Sequence, residues 1–338
     1  MEVIDDFGNT LSEDAFVIRH TEVQEFRNCQ RKWYLSSHNG LNLEPVQKPA
    51  KLRIGSIWHK ALEGLYKGED PWEWMKESYN EELEESRENL GDGFFEQEFQ
   101  ESLEKEWELL ESLLSAYLVW RNNEADPADS EMEFLNVERR LLVPLLSPED
   151  HPTGAWIAAK LDIILLYNGM VYSMDHKTSG KSARVDNPDH LPLDLQMGLQ
   201  LLTLRELQRY KGKTHPKIAG ALYNMARKQK PGPKVSAPIF HRSEILRSDY
   251  ELQKLKEELY KDYVRMSNIK EGELFPMEEP RIMSYNPQPW GFCAWGCDFR
   301  YVCEAINKGE DWQFLLENNY KPRDKDIWKM LEEEMKGE

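Results

Sequence analysis

The segment AAKLDIILLYNGMVYSMDHKT (158–178) constrains the fold more than any other part of the chain. Two apolar runs flank Asn168-Gly169, and Asn-Gly is the preferred centre of a two-residue type I′ turn because both central positions need positive φ. The segment reads as a β-hairpin. With that turn Tyr167 pairs with Met170, Asp162 falls opposite Asp175, and Lys160 falls opposite Lys177. Strand side chains alternate, so all four charged residues are expected on one face.

Two carboxylates held ~5 Å apart on neighbouring strands repel each other. A proton, nearby lysines or a divalent cation relieves the repulsion, and hard ions such as Mg²⁺ and Mn²⁺ favour oxygen ligands. An exposed hairpin face with two charge pairs is the plainer explanation. The flanking Ile163, Ile164, Leu165, Leu166 and Met174 argue instead for carboxylates at the edge of a buried sheet.

Elements around the hairpin follow from patterning. Thr21 to Gln24 fit a capping box opening a helix, with Val23, Phe26 and Trp33 on one face and Asn39-Gly40 as its end. A second helix starts near Gly55, carrying Ile57, Leu62 and Leu65, and Pro71 to Trp120 reads as acidic helix. After Glu133 the chain turns β-rich (134–146), followed by the hairpin, a helix from Asp194 and a strand over 218–228. Helix resumes from Ser248 to Lys270, and the tail from Pro276 reads as irregular. This order predicts an α/β (α+β) fold rather than a helical bundle. The expected divisions are 1–50 (first helix and first cysteine), 51–132 (helical region with His59), 133–247 (core), 248–310 (helix and cysteines) and 311–338 (acidic tail).

Charge points less directly at a partner. The 338 residues carry a net charge of −18, yet the acid is concentrated in helix faces between Glu69 and Glu133 and in the last residues. Basic residues gather at 209–217 and 226–234, and Arg227, Lys228, Lys230 and Lys234 are candidate phosphate contacts. The start lacks a secretory pattern, and no apolar run approaches the ~18 residues needed to span a membrane. A soluble, cytoplasmic protein is expected. Cys293, Cys297 and Cys303 lie within eleven residues, and with Cys29 they make four thiolates suited to zinc or an iron–sulfur cluster. Ser179-Gly-Lys-Ser182 lacks the earlier glycine of a phosphate-binding loop, since Asp175 stands there. No helicase motor is encoded.

Taken in order, CQRKWYL (29–35), GSIWH (55–59), Glu138, AKLD (159–162), DHK (175–177), Gln196 and CAWGCDFRYVC (293–303) resemble the PD-(D/E)xK nuclease superfamily. The similarity is to its RecB-type branch with an iron–sulfur cluster, which includes AddB-like and CRISPR-associated RecB-like nucleases. Two features depart from that branch. The last cysteines are spaced C-x₃-C-x₅-C rather than C-x₂-C-x₅-C, and Gln200 stands where a tyrosine is usual.

The resemblance implies a restriction-endonuclease-like mixed sheet flanked by helices, with a helical insertion and a cysteine staple joining the N- and C-terminal segments. His59, Asp162, Asp175 and the backbone carbonyl of His176 would hold Mg²⁺ or Mn²⁺. Lys177, Gln196 and Glu138 would complete a catalytic set with Asp162 and Asp175, and Glu63, at i+4 from His59, would orient the imidazole. Cys29, Cys293, Cys297 and Cys303 would hold [4Fe–4S], with structural Zn²⁺ as the alternative. The implied activity is a DNA nuclease, in particular an exonuclease processing ends in recombination, repair or replication, with a helicase or recombination protein as partner. A CRISPR trimming role and a non-catalytic DNA-binding module are the competing readings.

Overall fold

The computed structural model describes residues 3–12, 15–46, 54–90, 97–180, 191, 193–212, 216–232, 238–270 and 291–323. Lys234, the 181–182 half of the Ser-Gly-Lys-Ser segment and the tail beyond 323 lie outside them. A small ribbon, β1 (Val3–Ile4) with β2 (Thr10–Leu11), precedes β3 (Phe16–Ile18), α1 (His20–Asn28), α2 (Gln30–Ser36) and β4 (Leu43–Pro45). Then come α3 (Ile54–Lys67), α4 (Pro71–Leu90) and α5 (Gln97–Asn123). The central run is β5 (Glu133–Leu146), β6 (Pro152–Tyr167), β7 (Met170–Ser179), α6 (Leu195–Lys211), β8 (Ile218–Arg227) and β9 (Phe240–Leu246). The chain continues through α7 (Asp249–Lys270), α8 (Phe292–Trp295), α9 (Arg300–Lys308), α10 (Trp312–Asn319) and β10 (Tyr320–Pro322).

Six strands form a mixed sheet in the order β3-β6-β7-β8-β9, with β5 on β6 as well. The β6–β7 hairpin has the expected register, Tyr167↔Met170 through Ile163↔Met174, and Asn168 (φ 50°) and Gly169 (φ 72°) occupy its turn. β7 and β8 run parallel across α6, and β9 returns antiparallel. One core, built with α1, α6 and α7, covers one side of this sheet; the other, built with α3 and α5, covers the opposite side. A mixed α/β sheet flanked by helices is the restriction-endonuclease-like architecture expected from the sequence.

Several local expectations change. Helix α1 begins at His20 with Arg19 as its cap residue and no side-chain capping bond, so the Thr21 capping box does not form. Strand β9 follows a Pro/Gly loop and lacked a separate strand signal. The region after residue 290 is largely helical, and β10 pairs with β4 (Tyr320↔Pro45), tying the two ends of the chain by backbone hydrogen bonds. Among the described residues no helix is long and apolar enough to cross a membrane.

Candidate active site

The site forms where the sheet forks. Strand β5 occupies one edge of β6 along nearly its whole length. The other edge is shared: β3 pairs with Ala155–Ile157 and β7 with Ile163–Tyr167. Between them, residues 158–162 have no strand on that edge among the described residues, so their polar groups need other partners. Lys160 therefore does not face Lys177 across a ladder; it pairs with Arg140 on β5, and Lys177 with Met225 on β8.

Both strands also change direction here. Glu138 on β5 adopts φ 57°, a left-handed conformation rare outside glycine. Leu161, with Leu141 and Val143, packs into the core on the α6 side, whereas Ile163 and Val137 pack into the core on the α3 side. The alternation breaks at Glu138 and Asp162, which brings their carboxylates together.

Asp162 is buried, and its Oδ2 accepts the backbone N–H of His176 at 2.7 Å. Helix α3 places His59 Nδ1 3.3 Å from the same oxygen. Gly55, one turn earlier, lies so near β7 that a Cβ there would sit 3.3 Å from Thr178 Oγ1, which explains a glycine at the start of this helix. Burial pushes Asp162 up, but the hydrogen bond and charge of His59 together with His176 hold it below the usual carboxylate range. The His59 imidazole is lowered by burial and raised more by Asp162, for a net rise. Glu138 is raised, by burial first and by Asp162, while Lys160 pulls it down.

Among the described residues, His59, Glu138 and Asp162 each offer one ligand atom within 4.8 Å of the others. Two carboxylate oxygens and an imidazole suit a divalent ion of the Mg²⁺ or Mn²⁺ kind, and the repulsion between the two carboxylates is what such an ion relieves. Glu138 thus joins the donor group through geometry that its sequence position did not reveal. Glu63 does not orient His59. Its two oxygens take Lys60 and Lys67, each at 2.7 Å.

Asp175 is fully buried and faces α6. Its Oδ1 accepts Gln196 Nε2 at 2.7 Å and Gln200 Nε2 at 3.0 Å, while Lys177 Nζ stands 2.8 Å from Oδ2. Burial and the nearby Asp162 charge push its carboxyl up to about 6. Burial alone would lower Lys177, but Asp175 more than offsets this, so the amine is held protonated. Asp194 caps α6 through the Met197 N–H (3.0 Å), fixing the helix that carries both glutamines.

Gln200 is the residue the motif comparison undervalued. It is 1% exposed and also donates to the Lys160 carbonyl at 3.1 Å, filling part of the bare edge of β6. The signal was its i+4 spacing from Gln196, which puts both amides on one helix face.

Behind the carboxylates lies a buried polar layer. The His176 ring stacks on Tyr66 (5.4 Å), and its Nδ1 is 2.9 Å from Asn224 Nδ2. Asn224 contacts Tyr117 Oη at 2.6 Å, Tyr66 donates to Asp129 at 2.8 Å, and Arg242 pairs with Asp129 at 2.8 Å. Burial drives the His176 ring down to about 3, so it is neutral. The layer holds β7 in place, and with it the N–H that binds Asp162.

The predicted cysteines also come together. Cys29 joins α1 to α2, and Cys293, Cys297 and Cys303 lie on or beside α8 and α9. None of the four is in a disulfide. Burial, and then the charges of Cys29 and Cys293, push Cys297 up to about 11. The buried Arg31 donates to Cys303 Sγ at 3.0 Å and to Asn307 at 2.8 Å, joining the same two segments.

The basic strip is less open than its sequence suggests. Arg227 is buried, Lys230 is ion-paired with Glu108, and Lys228 is half-buried at the end of β8.

A model of the PD-(D/E)XK nuclease superfamily matches residues 19–304, spanning β5 to β9, the candidate site and all four cysteines. The chain belongs to the PD-(D/E)XK nuclease superfamily. Membership supports hydrolase activity on nucleic acid. Two solved structures are similar: one described as a "Putative exonuclease" from Eubacterium rectale (TM-score 0.42, 11% identity, covering 84% of this chain and 94% of that one). The other is described as SSO0001 (TM-score 0.30, 15% identity, covering 63% and 79%). No curated protein matches the chain.

Proposed function

We propose that the chain is a Mg²⁺- or Mn²⁺-dependent deoxyribonuclease of the RecB type that degrades DNA from its ends in recombination, repair or replication. The observation that carries this is the convergence of His59, Glu138 and Asp162 at the fork, with Asp175 and Lys177 beside them. A divalent ion held there would acidify water and polarise the scissile phosphate. Asp175 completes the negative surface facing it, with the His176 carbonyl as a further ligand. Lys177, kept protonated, positions the attacking water and stabilises charge developing on the phosphate. Gln196, on the exposed side of Gln200, orients Asp175 and that water. Of the basic strip, Lys228 and Lys230 are the candidates for contact with the DNA backbone, Lys230 on release from Glu108.

The four cysteines hold [4Fe–4S] in this reading. Zinc, with Zn–S bonds of ~2.3 Å, would gather its sulfurs to about 3.8 Å of one another. Metal content distinguishes the two. A helicase or recombination protein is the partner this reading implies.

The deciding experiment digests 5′- and 3′-labelled single- and double-stranded DNA with Mg²⁺ or Mn²⁺, using the wild type and Asp175→Ala. Ladder-like loss from one end by the wild type alone supports the proposal. Metal-dependent DNA binding without cleavage would favour the non-catalytic module instead, and products of one discrete length a trimming role.

A further inference from the structure

Lys160 precedes Asp162 by two residues, and its Nζ is ion-paired with Glu138 Oε2. The partners sit in different surroundings, since the lysine side chain is 49% exposed and the glutamate 12%. The flanking Ala159 and Leu161 are buried, and Gln200 anchors the Lys160 carbonyl. The backbone is fixed while the flexible four-carbon stem reaches out to solvent. Lys177 contrasts with it: that amine sits on the fully buried Asp175 and is 32% exposed.

Charge balance gives the difference a consequence. Glu138, Asp162 and Asp175 are three acids in one fork, and Lys160 and Lys177 are the lysines paired with two of them. A divalent ion taken up by His59, Glu138 and Asp162 competes directly with Lys160 for Glu138. Once it binds, the Lys160 amine is displaced at the mouth of the site, where a nucleic-acid backbone brings one negative charge per phosphate.

We propose that Lys160 is a transferable cation: it neutralises Glu138 before metal binds, and contacts a backbone phosphate of bound DNA once the metal has taken Glu138. This rests on the metal-dependent nuclease reading above. It makes two predictions of opposite sign for one substitution. Removing the amine frees Glu138 for metal, and it removes one phosphate contact.

The experiment uses the full chain with Lys160→Met and Lys160→Arg. Mn²⁺ binding is measured calorimetrically without DNA, and duplex binding by anisotropy in Ca²⁺ over a salt series. Lys160→Met is expected to bind Mn²⁺ about two- to five-fold tighter, the scale of a half-exposed competing ion pair. Its plot of log affinity against log salt should be shallower by about one charge, and Lys160→Arg should restore the slope. Unchanged or weaker Mn²⁺ binding by Lys160→Met, or an unchanged slope, overturns the proposal while the nuclease reading stands. A wild type that binds neither Mn²⁺ nor Ca²⁺ overturns the metal reading itself, and this inference with it.

Discussion

The Asp162 carboxylate accepts the backbone N–H of His176 at 2.7 Å, one step beyond the last paired residues of the hairpin. A side chain there replaces a rung of the ladder, so Asp162 both completes the sheet and faces the donor group. The two duties separate on substitution. Asp162→Asn keeps an acceptor for His176 while removing the charge, and cleavage should fall by about 10²-fold or more, with a stability cost limited to the lost His59 attraction. Asp162→Leu removes the acceptor as well and should cost about 1–3 kcal/mol beyond Asn. Urea titrations of both variants beside cleavage rates check this; equal stability would mean that His176 finds another acceptor.

Gln200 joins Asp175 to the bare edge of β6, and Gln196 shares Asp175 with it. Gln200→Leu removes one donor from the buried Asp175 and one from the Lys160 carbonyl, at a cost of about 1–3 kcal/mol. Gln196→Ala, nearer solvent, should cost less than half of that yet reduce cleavage more. Thermal unfolding and kcat measured on the two single variants test the division. If Gln196→Ala proves the more destabilising, the roles are reversed.

The hairpin and its register were legible because Asn168-Gly169 fixes the turn and period-two patterning fixes the faces. The fork was not. Its cause is β3, three residues long, which claims the lower edge of β6 from far upstream. Nothing local to AAKLD signals that competition. The left-handed Glu138 was equally hidden, since glutamate has no preference for positive φ and tertiary packing imposes it. His59 and Gln196 were found through the resemblance. Gln200 was discounted because it differs from the usual tyrosine, although its spacing from Gln196 already placed it on the right face. The β4–β10 pairing escaped notice because a three-residue strand at each end carries too little pattern to read.

The thiols of the cysteine group give a composition test. Without metal, burial holds Cys297 protonated, near 11, so uptake of iron or zinc must release protons and strengthen as pH rises. Purified protein is expected to be brown, to contain iron and to bleach with a chelator or oxidant. Cys29→Ser should bleach it too, lower Tm and weaken DNA binding. Because β4–β10 and the Arg31–Asn307 bond (2.8 Å) also join the segments, the nuclease sheet should keep its circular dichroism. Colourless protein with one zinc per chain would reject the iron assignment.

The carboxylates of the fork predict opposite pH effects that metal binding should resolve. Asp175 is raised in the fold to about 6 from an ordinary 3.8. Its contribution to the stability of metal-free protein is full below the unfolded value and is lost as pH rises through about 6. Asp162 is lowered, so its contribution is present above 3.8 and lost as pH falls through its depressed value. Between pH 5 and 7 Asp175 subtracts stability from the metal-free protein as pH rises, while His176, neutral in the fold and lowered to about 3, adds it as the unfolded imidazole gives up its proton. A divalent ion favours ionised Asp175 and neutral His59, whose imidazole is raised by Asp162. The Tm gain on adding Mn²⁺ should therefore be small at pH 5 and grow towards pH 7.5. Asp175→Asn should make the metal-free Tm rise more steeply with pH than in the wild type over the same range. Scanning calorimetry of both proteins, with and without Mn²⁺, gives the answer, and a metal-free Tm that rises from pH 5 to 7 equally in both would remove Asp175 as a contributor.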